Sequence, residues 1–388
     1  QSPKRRKDRP LEGARVVDFP WVRAGPWAAR WLATLGAEVI KIESPDSGDP
    51  VRRQGAIKEG ISWYFAQFNR NKKSVVLDLY TDEGKKTLTK LLSTADVLVD
   101  NYRPGVLTKM GFSKERLEEI NPRLIQASVN GYGSSGPYVN RPSFDFIAQA
   151  MSGFMSVNGA PDSDPQRAAP PMSDLIAGLY CAFGVVTALQ ARERTGRGQR
   201  VESSLTGGLV SMMAYLSAEY FATGEIPQRT GNYHPIASPY GLFQASDGMV
   251  AVAPSTDTFV RRFLRALVLE HLLDDVRFQT NDDRMTNRDV LAGIINEVTS
   301  LRTVDHWIEV INDAGCPCGR VMNLAEVFSD PQVLSQEMVL DQVHPGHGTV
   351  RMTGFPVKLS HTPAKLRRPA PDLGADTEAI LAALDDSD

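Results

Sequence analysis

The chain has 388 residues, with 43 Lys and Arg against 46 Asp and Glu, a net charge of -3. That balance excludes a bulk electrostatic attraction to nucleic acid, and the 42% hydrophobic content is that of a globular protein with material for one large domain or two ordinary ones. No apolar run approaches the roughly 18 to 20 residues of a membrane span outside residues 175–189, whose Gly and Ala content marks a core helix.

The three cysteines, Cys181, Cys316 and Cys318, offer no disulfide framework. Cys316-Pro317-Cys318 has no second Cys/His pair at zinc spacing, so no metal site is predicted. The cysteine usage reads as a reducing, cytoplasmic compartment.

Residues 1–10, QSPKRRKDRP, are basic and lack an initiating Met. They read as a disordered tail, a processed end or a cloning remnant. ARVVDF (14–19) then reads as a buried strand, PWVRAGP as a turn, and WAARWLATLG as a helix ended by Gly36. EVIKIE (38–43), SVVLDL (74–79), DVLVD (96–100) and LIQASV (124–129) are further strands, and DEGKKTLTKLLSTA is a helix before DVLVD. Strands alternating with helices of ten or more residues predict an α/β fold with a parallel sheet covered on both faces. Such sheets bind ligands at the carboxyl ends of their strands, so the turns after the strands are the places to search.

The aromatic stretch at Trp63, Tyr64, Phe65 and Phe68 reads as core or interface rather than a stacking platform. In the turn Asn101-Tyr102-Arg103-Pro104-Gly105, the Pro-Gly pair fixes the chain beside a cation, and Lys109 follows six residues after Arg103. These cations are either solvated surface or a phosphate-binding pair. Residues 69–73, NRNKK, are a candidate extension of the same basic rim. Gly131, Gly133 and Gly136 spell the dinucleotide fingerprint, but Pro137 and Pro142 prevent a long helix from starting there.

Residues 168–205 contain the longest helical pattern. Ile176, Leu179, Tyr180, Phe183, Val186 and Leu189 form its strongly apolar face, and Ala177, Gly178, Ala182, Gly184 and Ala188 the other, which predicts burial on nearly all sides. Ser173 is the expected N-cap, and TGRG the stop. Asp174 stands in the first turn. It is either an ordinary first-turn acid or a carboxylate nucleophile kept ionised by unpaired backbone N–H groups. QRVESSL follows as a strand and residues 205–222 as a helix.

A loop rich in Gly and Pro, containing His234, then reads as a domain boundary. GLFQASDGMVAVAP reads as a hairpin turning at Asp247-Gly248, followed by helices near 255–270, 289–300 and 303–313. From about Leu324 the pattern is extended again, and DTEAILAAL closes the chain as a helix. Late strands after a middle insertion suggest a first domain completed by the C-terminus: 11–222 and 324–388 as a large domain, 223–323 as a smaller α+β domain.

The segments LEGARVVDF, RAGPWAARWLATLGAEVIKIE, FNRNKKSVVLDL, ADVLVDNYRPGVLTKMGF, NPRLIQASVNGYGSSGPY, RPSFDFIAQAMSG and MSDLIAGLYCAFGVVTALQARERTGRGQ resemble, in order, the family III CoA transferases. That group includes the formyl-CoA:oxalate, carnitine and bile-acid CoA transferases. The likeness continues through PYGLFQASDGMVAVA and GCPCGRV to PAPDLGADT, nearly the whole chain. It implies a Rossmann-like large domain built from both chain ends, a smaller middle domain, and an interlocked homodimer. It implies that Asp174, followed by Gly178 in a D-x-x-x-G helix start, is the nucleophile. It implies CoA contacts at Arg23, Ala24, Leu77, Asp78, Leu79, Tyr80, Asn101, Tyr102, Arg103 and Lys109. Coenzyme A enters as a substrate, and no metal or redox cofactor is expected.

The chain departs from the formyl-CoA enzyme at three places. Arg23 replaces a Gln, Ser44 replaces an Arg, and TGNYHPIASPYG stands in place of a tetraglycine loop. Phe144 occupies the position of the catalytic histidine of the related α-methylacyl-CoA racemases. The expected reaction is therefore CoA transfer from an acyl-CoA, such as succinyl-CoA, to a carboxylic acid, with Arg23 suited to a C4–C5 diacid. Racemase-type proton transfer and non-catalytic acyl-CoA binding are the alternatives.

Overall fold

The structure is a computed structural model, described over residues 8–386. Most of the basic N-terminal tail, residues 1–7, lies outside the described residues. Chain contacts gather into two units. The first takes the chain up to Phe154, then Arg167–Thr223 and Pro331 onward; the second takes Met155–Gln166 and Gly224–Asp330. The short 155–166 excursion into the second unit was not expected, and the return falls after residue 330 rather than 323.

The first unit holds a six-stranded sheet: β1 (Arg15–Asp18), β2 (Glu38–Glu43), β3 (Lys72–Val76), β4 (Val97–Asp100), β5 (Ile125–Asn130) and β6 (Arg200–Ser204). All pairs are parallel and the order is β3-β2-β1-β4-β5-β6. The direction of winding reverses between β1 and β4. In open parallel sheets that reversal opens a crevice at the carboxyl ends of the two strands, where ligands sit.

Neighbouring strand residues serve opposite cores, which is why the strands read as unbroken apolar runs. Val16, Val39, Val97, Ile125 and Ala127 face α1 (Ala24–Thr34) and the long helix α6 (Met172–Thr195). Val17, Ile40, Val75 and Leu98 face α3 (Asp82–Ser93) and the C-terminal helix Thr377–Asp385. The chain end also closes the sheet's edge. The Ser74 N–H donates to Asp376 (2.9 Å) and the Val76 N–H to Thr377 (3.0 Å), so β3 presents no open ladder. The large unit is thus built from both ends of the chain.

Two elements differ from their sequence reading here. β3 begins two residues early, at Lys72, and stops at Val76. Beyond Leu77 the Asp78 carboxylate accepts the Tyr80 N–H (3.0 Å) and turns the chain away. The helix expected at 205–222 is two, α7 (Leu205–Ser211) and α8 (Ala214–Thr223), broken where Ala214 adopts φ 47°. Longer helices of this part also include α2 (Trp63–Asn69), α4 (Lys114–Ile120) and α5 (Asp145–Met151), and a single turn of helix spans Val106–Lys109.

The second unit is α+β. Strands Gly241–Ala245, Gly248–Val252 and Cys318–Arg320 form an antiparallel sheet, packed with helices Asp257–Ala266, Arg288–Thr299 and Val304–Asp313 around Phe243, Val250, Phe263 and Trp307. The hairpin turns at Ser246-Asp247, since Gly248 already pairs with Ala245. The region after Leu324 is first helical, Leu324–Val327 and Pro331–Ser335, before the hairpin Val339–His344 and Gly348–Thr353 forms in the large unit.

Candidate active site

The longest helix carries the candidate nucleophile, and of the two faces expected to be buried only the one of small residues is. In α6 the small residues Ala177, Gly178, Cys181, Ala182, Val185 and Ala188 are buried, whereas Leu179 and Phe183 are 53% and 70% exposed. The reason is the approach of α1. A Cβ placed on Gly178 would lie 2.6 Å from the Ala24 carbonyl oxygen and 3.3 Å from the Ala28 nitrogen. Only a face of small side chains permits two helices to pack so closely. Gly196, at φ 73°, ends the helix as TGRG predicted.

Gly178 lies one turn after Asp174 on the same face. The close approach of α1 therefore brings Arg23, at the N-cap of α1, to Asp174: Nη1 stands 3.7 Å from Oδ2. Arg23 is steadied by Tyr64 in α2, whose hydroxyl accepts the Nε–H at 2.6 Å. Tyr64 was read from the sequence only as packing. It is a member of the site.

Ser173 does not cap α6; it is the second residue of the helix, and Pro171 holds the N-cap position. The Ser173 N–H and hydroxyl both donate to Oδ1 of buried Asp145, at 2.9 and 2.8 Å. Gln149 donates to Asp145 Oδ2 (2.8 Å) and accepts the Ala168 N–H (2.8 Å), tying α5 to the segment that leads into α6. Of the backbone N–H groups at the helix start, that of Ser173 thus goes to Asp145 and that of Leu175 to the Pro171 carbonyl, not to Asp174.

The consequence is electrostatic. Burial, and then the charge of Asp145, push the Asp174 carboxyl up to about 7, against a smaller downward pull from Arg23. The expectation of a carboxylate held ionised by backbone N–H groups is overturned. Asp174 sits near the midpoint of its titration at neutral pH, the range in which enzymes tune nucleophiles and bases.

The two turns at the switch point lie beside one another. The Asn101 side chain accepts from the Trp21 N–H (3.3 Å) and donates to the Trp21 carbonyl (2.7 Å), joining the end of β4 to the loop after β1. Asn101 and Tyr102 are half-buried, and Arg103 and Lys109 are exposed. Neither of those cations makes a side-chain hydrogen bond or ion pair among the described residues, so both are available to an anion. Leu77 is buried, Leu79 half-buried, Asp78 exposed, and Tyr80 is 99% exposed at the carboxyl end of β3. Ala24 is buried as the first residue of α1.

The 69–73 run does not extend this rim. Arg70, Asn71 and Lys72 are buried, and Lys73 pairs with Glu38 at the opposite end of the sheet. The Gly131–Gly136 run leads into turns, and the next helix begins only at Asp145, so no helix N-terminus faces it. Among the described residues no group of His, Cys, Asp and Glu is placed to hold a metal ion.

A family model described as CoA-transferase family III matches residues 11–377. The chain is 37% identical to the acetyl-CoA:oxalate CoA-transferase of Acetobacter aceti, over 96% of this chain and 95% of that one. It is 34% identical to the succinate–glutarate CoA-transferase of Agrobacterium fabrum, over 97% of this chain and 96% of that one. The crystal structure of a CAIB/BAIF family protein from Brucella suis matches with a TM-score of 0.87 at 36% identity, covering 97% of this chain and 99% of that chain.

Proposed function

This chain belongs to CoA-transferase family III and is a CoA transferase; from that premise we propose that Asp174 is its nucleophile and that a C4–C5 dicarboxylic acid is its acceptor. The observation that carries the reading is the placement of a buried, near-neutral carboxylate at the front of α6, 3.7 Å from the Arg23 guanidinium.

In this reading Asp174 attacks the thioester carbonyl of the donor acyl-CoA. The C–S bond breaks, CoA leaves as thiolate, and an aspartyl–acyl anhydride remains. The thiolate attacks the aspartyl carbonyl, releasing the donor carboxylate and leaving an aspartyl-CoA thioester. The acceptor carboxylate then attacks that thioester, and the freed thiolate takes the acceptor acyl group. Asp174 is regenerated as a carboxylate. Each step exchanges one acyl–heteroatom bond for another, with no net proton or electron change.

A carboxylate poorly stabilised by its surroundings is a stronger nucleophile once ionised, which gives the raised Asp174 value a use. The unpaired Arg103 and Lys109 suit CoA phosphates. Arg23 suits the second carboxylate of a diacid, and the succinate–glutarate relative supports succinyl-CoA as donor. The exposed apolar residues of α6, Leu179, Tyr180, Phe183 and Val186, support the interlocked homodimer as the working form.

The test is Asp174→Ala, assayed for exchange of labelled CoA between two acids, with hydroxylamine trapping and mass spectrometry of the protein adduct. Loss of both exchange and adduct is expected. Near-normal exchange would remove Asp174 from the mechanism. Arg23→Gln is expected to erase the preference for diacids over monoacids, and an unchanged preference would remove Arg23 from acceptor selection.

A further inference from the structure

Beneath the Arg23 loop lies a group of buried charges that the transfer chemistry does not use. Asp18, Lys41, Asp49 and Lys72 are all fully buried. Lys41 Nζ pairs with Asp49 at 2.9 Å and donates to the Pro20 carbonyl at 2.8 Å. Lys72 Nζ pairs with Asp18 at 2.7 Å and donates to Asn69 (2.9 Å) and to the Pro26 carbonyl (3.0 Å). Asp49 Oδ1 accepts the Val51 N–H at 3.0 Å and the Val22 N–H at 3.4 Å.

Three points of the segment 20–26 are therefore held from below: its first carbonyl, the Val22 N–H, and its last carbonyl. Arg23 is in the middle. Val22 adopts φ 71°, a strained conformation for a β-branched residue that persists only where its surroundings impose it. Buried ion pairs add little net stability, because desolvation offsets their attraction. The loop they grip supplies a different role.

We propose that Lys41, Asp49 and Lys72 are positioning residues for acceptor selection, fixing the 20–26 segment so that the Arg23 guanidinium stands beside Asp174 to receive the acceptor's distal carboxylate. This rests on the reading of Arg23 given above. The network reaches Asp174 only through Arg23, which is a smaller influence on that carboxyl than burial or the charge of Asp145.

The paired replacement Asp18→Leu/Lys72→Met removes one ion pair without stranding a charge, so the protein is expected to fold. Lys41→Met/Asp49→Leu, which removes the other ion pair together with the holds on the Pro20 carbonyl and the Val22 N–H, is a second, independent variant. Each is assayed for KM and kcat with glutarate and with a monocarboxylic acid, and for the rate of adduct formation from succinyl-CoA. The expected result is a rise of about tenfold in the glutarate KM, the size of a typical coupling between contacting groups. The monoacid KM and the adduct rate stay within about twofold. Arg23→Gln added to either variant then changes the diacid preference no further.

If Arg23→Gln alone collapses the preference but both network variants keep it, the positioning role is wrong and the reading of Arg23 stands. If Arg23→Gln leaves the preference unchanged, the reading of Arg23 fails first. Equal losses with both acids and in adduct formation would mark a general structural role and overturn the proposal.

Discussion

A carboxyl pushed up to about 7 inside a fold makes that fold pH-sensitive, and Asp174→Asn should expose the cost. The ordinary value for Asp is 3.8 and burial leads the causes of the rise, with the charge of Asp145 second. Below about pH 4 the carboxyl is protonated in both the folded and unfolded chain and costs nothing. As pH rises from about 4 to about 7, the unfolded chain releases the proton while the folded chain still holds it, so stability falls. Above about 7 the loss is constant. At about 1.4 kcal/mol per pH unit the full interval is worth about 4 kcal/mol. The side chain keeps 12% exposure beside a partly exposed Arg23, so screening reduces this to about 2 kcal/mol.

Asparagine has nearly the same shape and no charge to desolvate. Asp174→Asn should therefore match the parent near pH 4.5 and exceed it by about 2 kcal/mol at pH 8, a rise of about 4 °C in Tm. Tryptophan fluorescence is a suitable probe, since Trp21, Trp27, Trp31 and Trp63 lie in the unit that holds the site and only Trp307 in the other. Intact mass on each sample guards against deamidation back to Asp. A variant no more stable than the parent at pH 8, or a gap that does not grow between pH 4.5 and 7, would refute the electrostatic account of this site.

Three other substitutions probe the same geometry. Asp145→Asn removes the second-ranked cause of the raised Asp174 value, so the rising limb of kcat/KM against pH should move down from about 7 by about one pH unit. An unmoved limb would show that the Asp145 charge is not felt at Asp174. Gly178→Ala sets a methyl 2.6 Å from the Ala24 carbonyl and should part α1 from α6, at about 1–3 kcal/mol of stability and at least about tenfold in kcat/KM; unchanged denaturation and kinetics would contradict the packing argument. Tyr64→Phe deletes the acceptor for the Arg23 Nε–H and should lower kcat/KM severalfold for diacids while sparing monoacids, measured with paired acceptors.

The frame of the large unit was legible because each strand needed apolar residues on both faces and each helix followed a turn signal. EVIKIE is a strand over the six residues read for it, and the helix from Asp82 occupies nearly the span read for it. The misreadings have physical causes. Burial on nearly all sides of α6 holds for its small residues and not for its large apolar ones, because close helix packing selects by size and not by hydrophobicity. The 69–73 cations were read as surface because the run is polar, yet Lys72 is consumed by Asp18 in the interior. A signal for that network was present. Asp18 and Lys41 interrupt strands that must be buried on both sides, and a charge there has to be paired. What no local pattern could supply was the meeting of Arg23, Tyr64 and Asp174, which depends on α1, α2 and α6 converging from distant parts of the chain.

The D-x-x-x-G start of α6 shows why chemistry and packing cannot be separated here. A four-residue step on a helix returns to the same face one turn on, so the carboxylate and the missing side chain look toward the same neighbour. The glycine lets α1 approach, α1 brings Arg23, and Arg23 is the only cation the structure places within ion-pair distance of Asp174 among the described residues. A larger residue at 178 would separate the helices and leave the carboxylate buried beside Asp145 with no opposing charge, where protonation would be its easiest escape. The motif therefore acts as one device, in which a packing choice places the cation beside the proposed nucleophile.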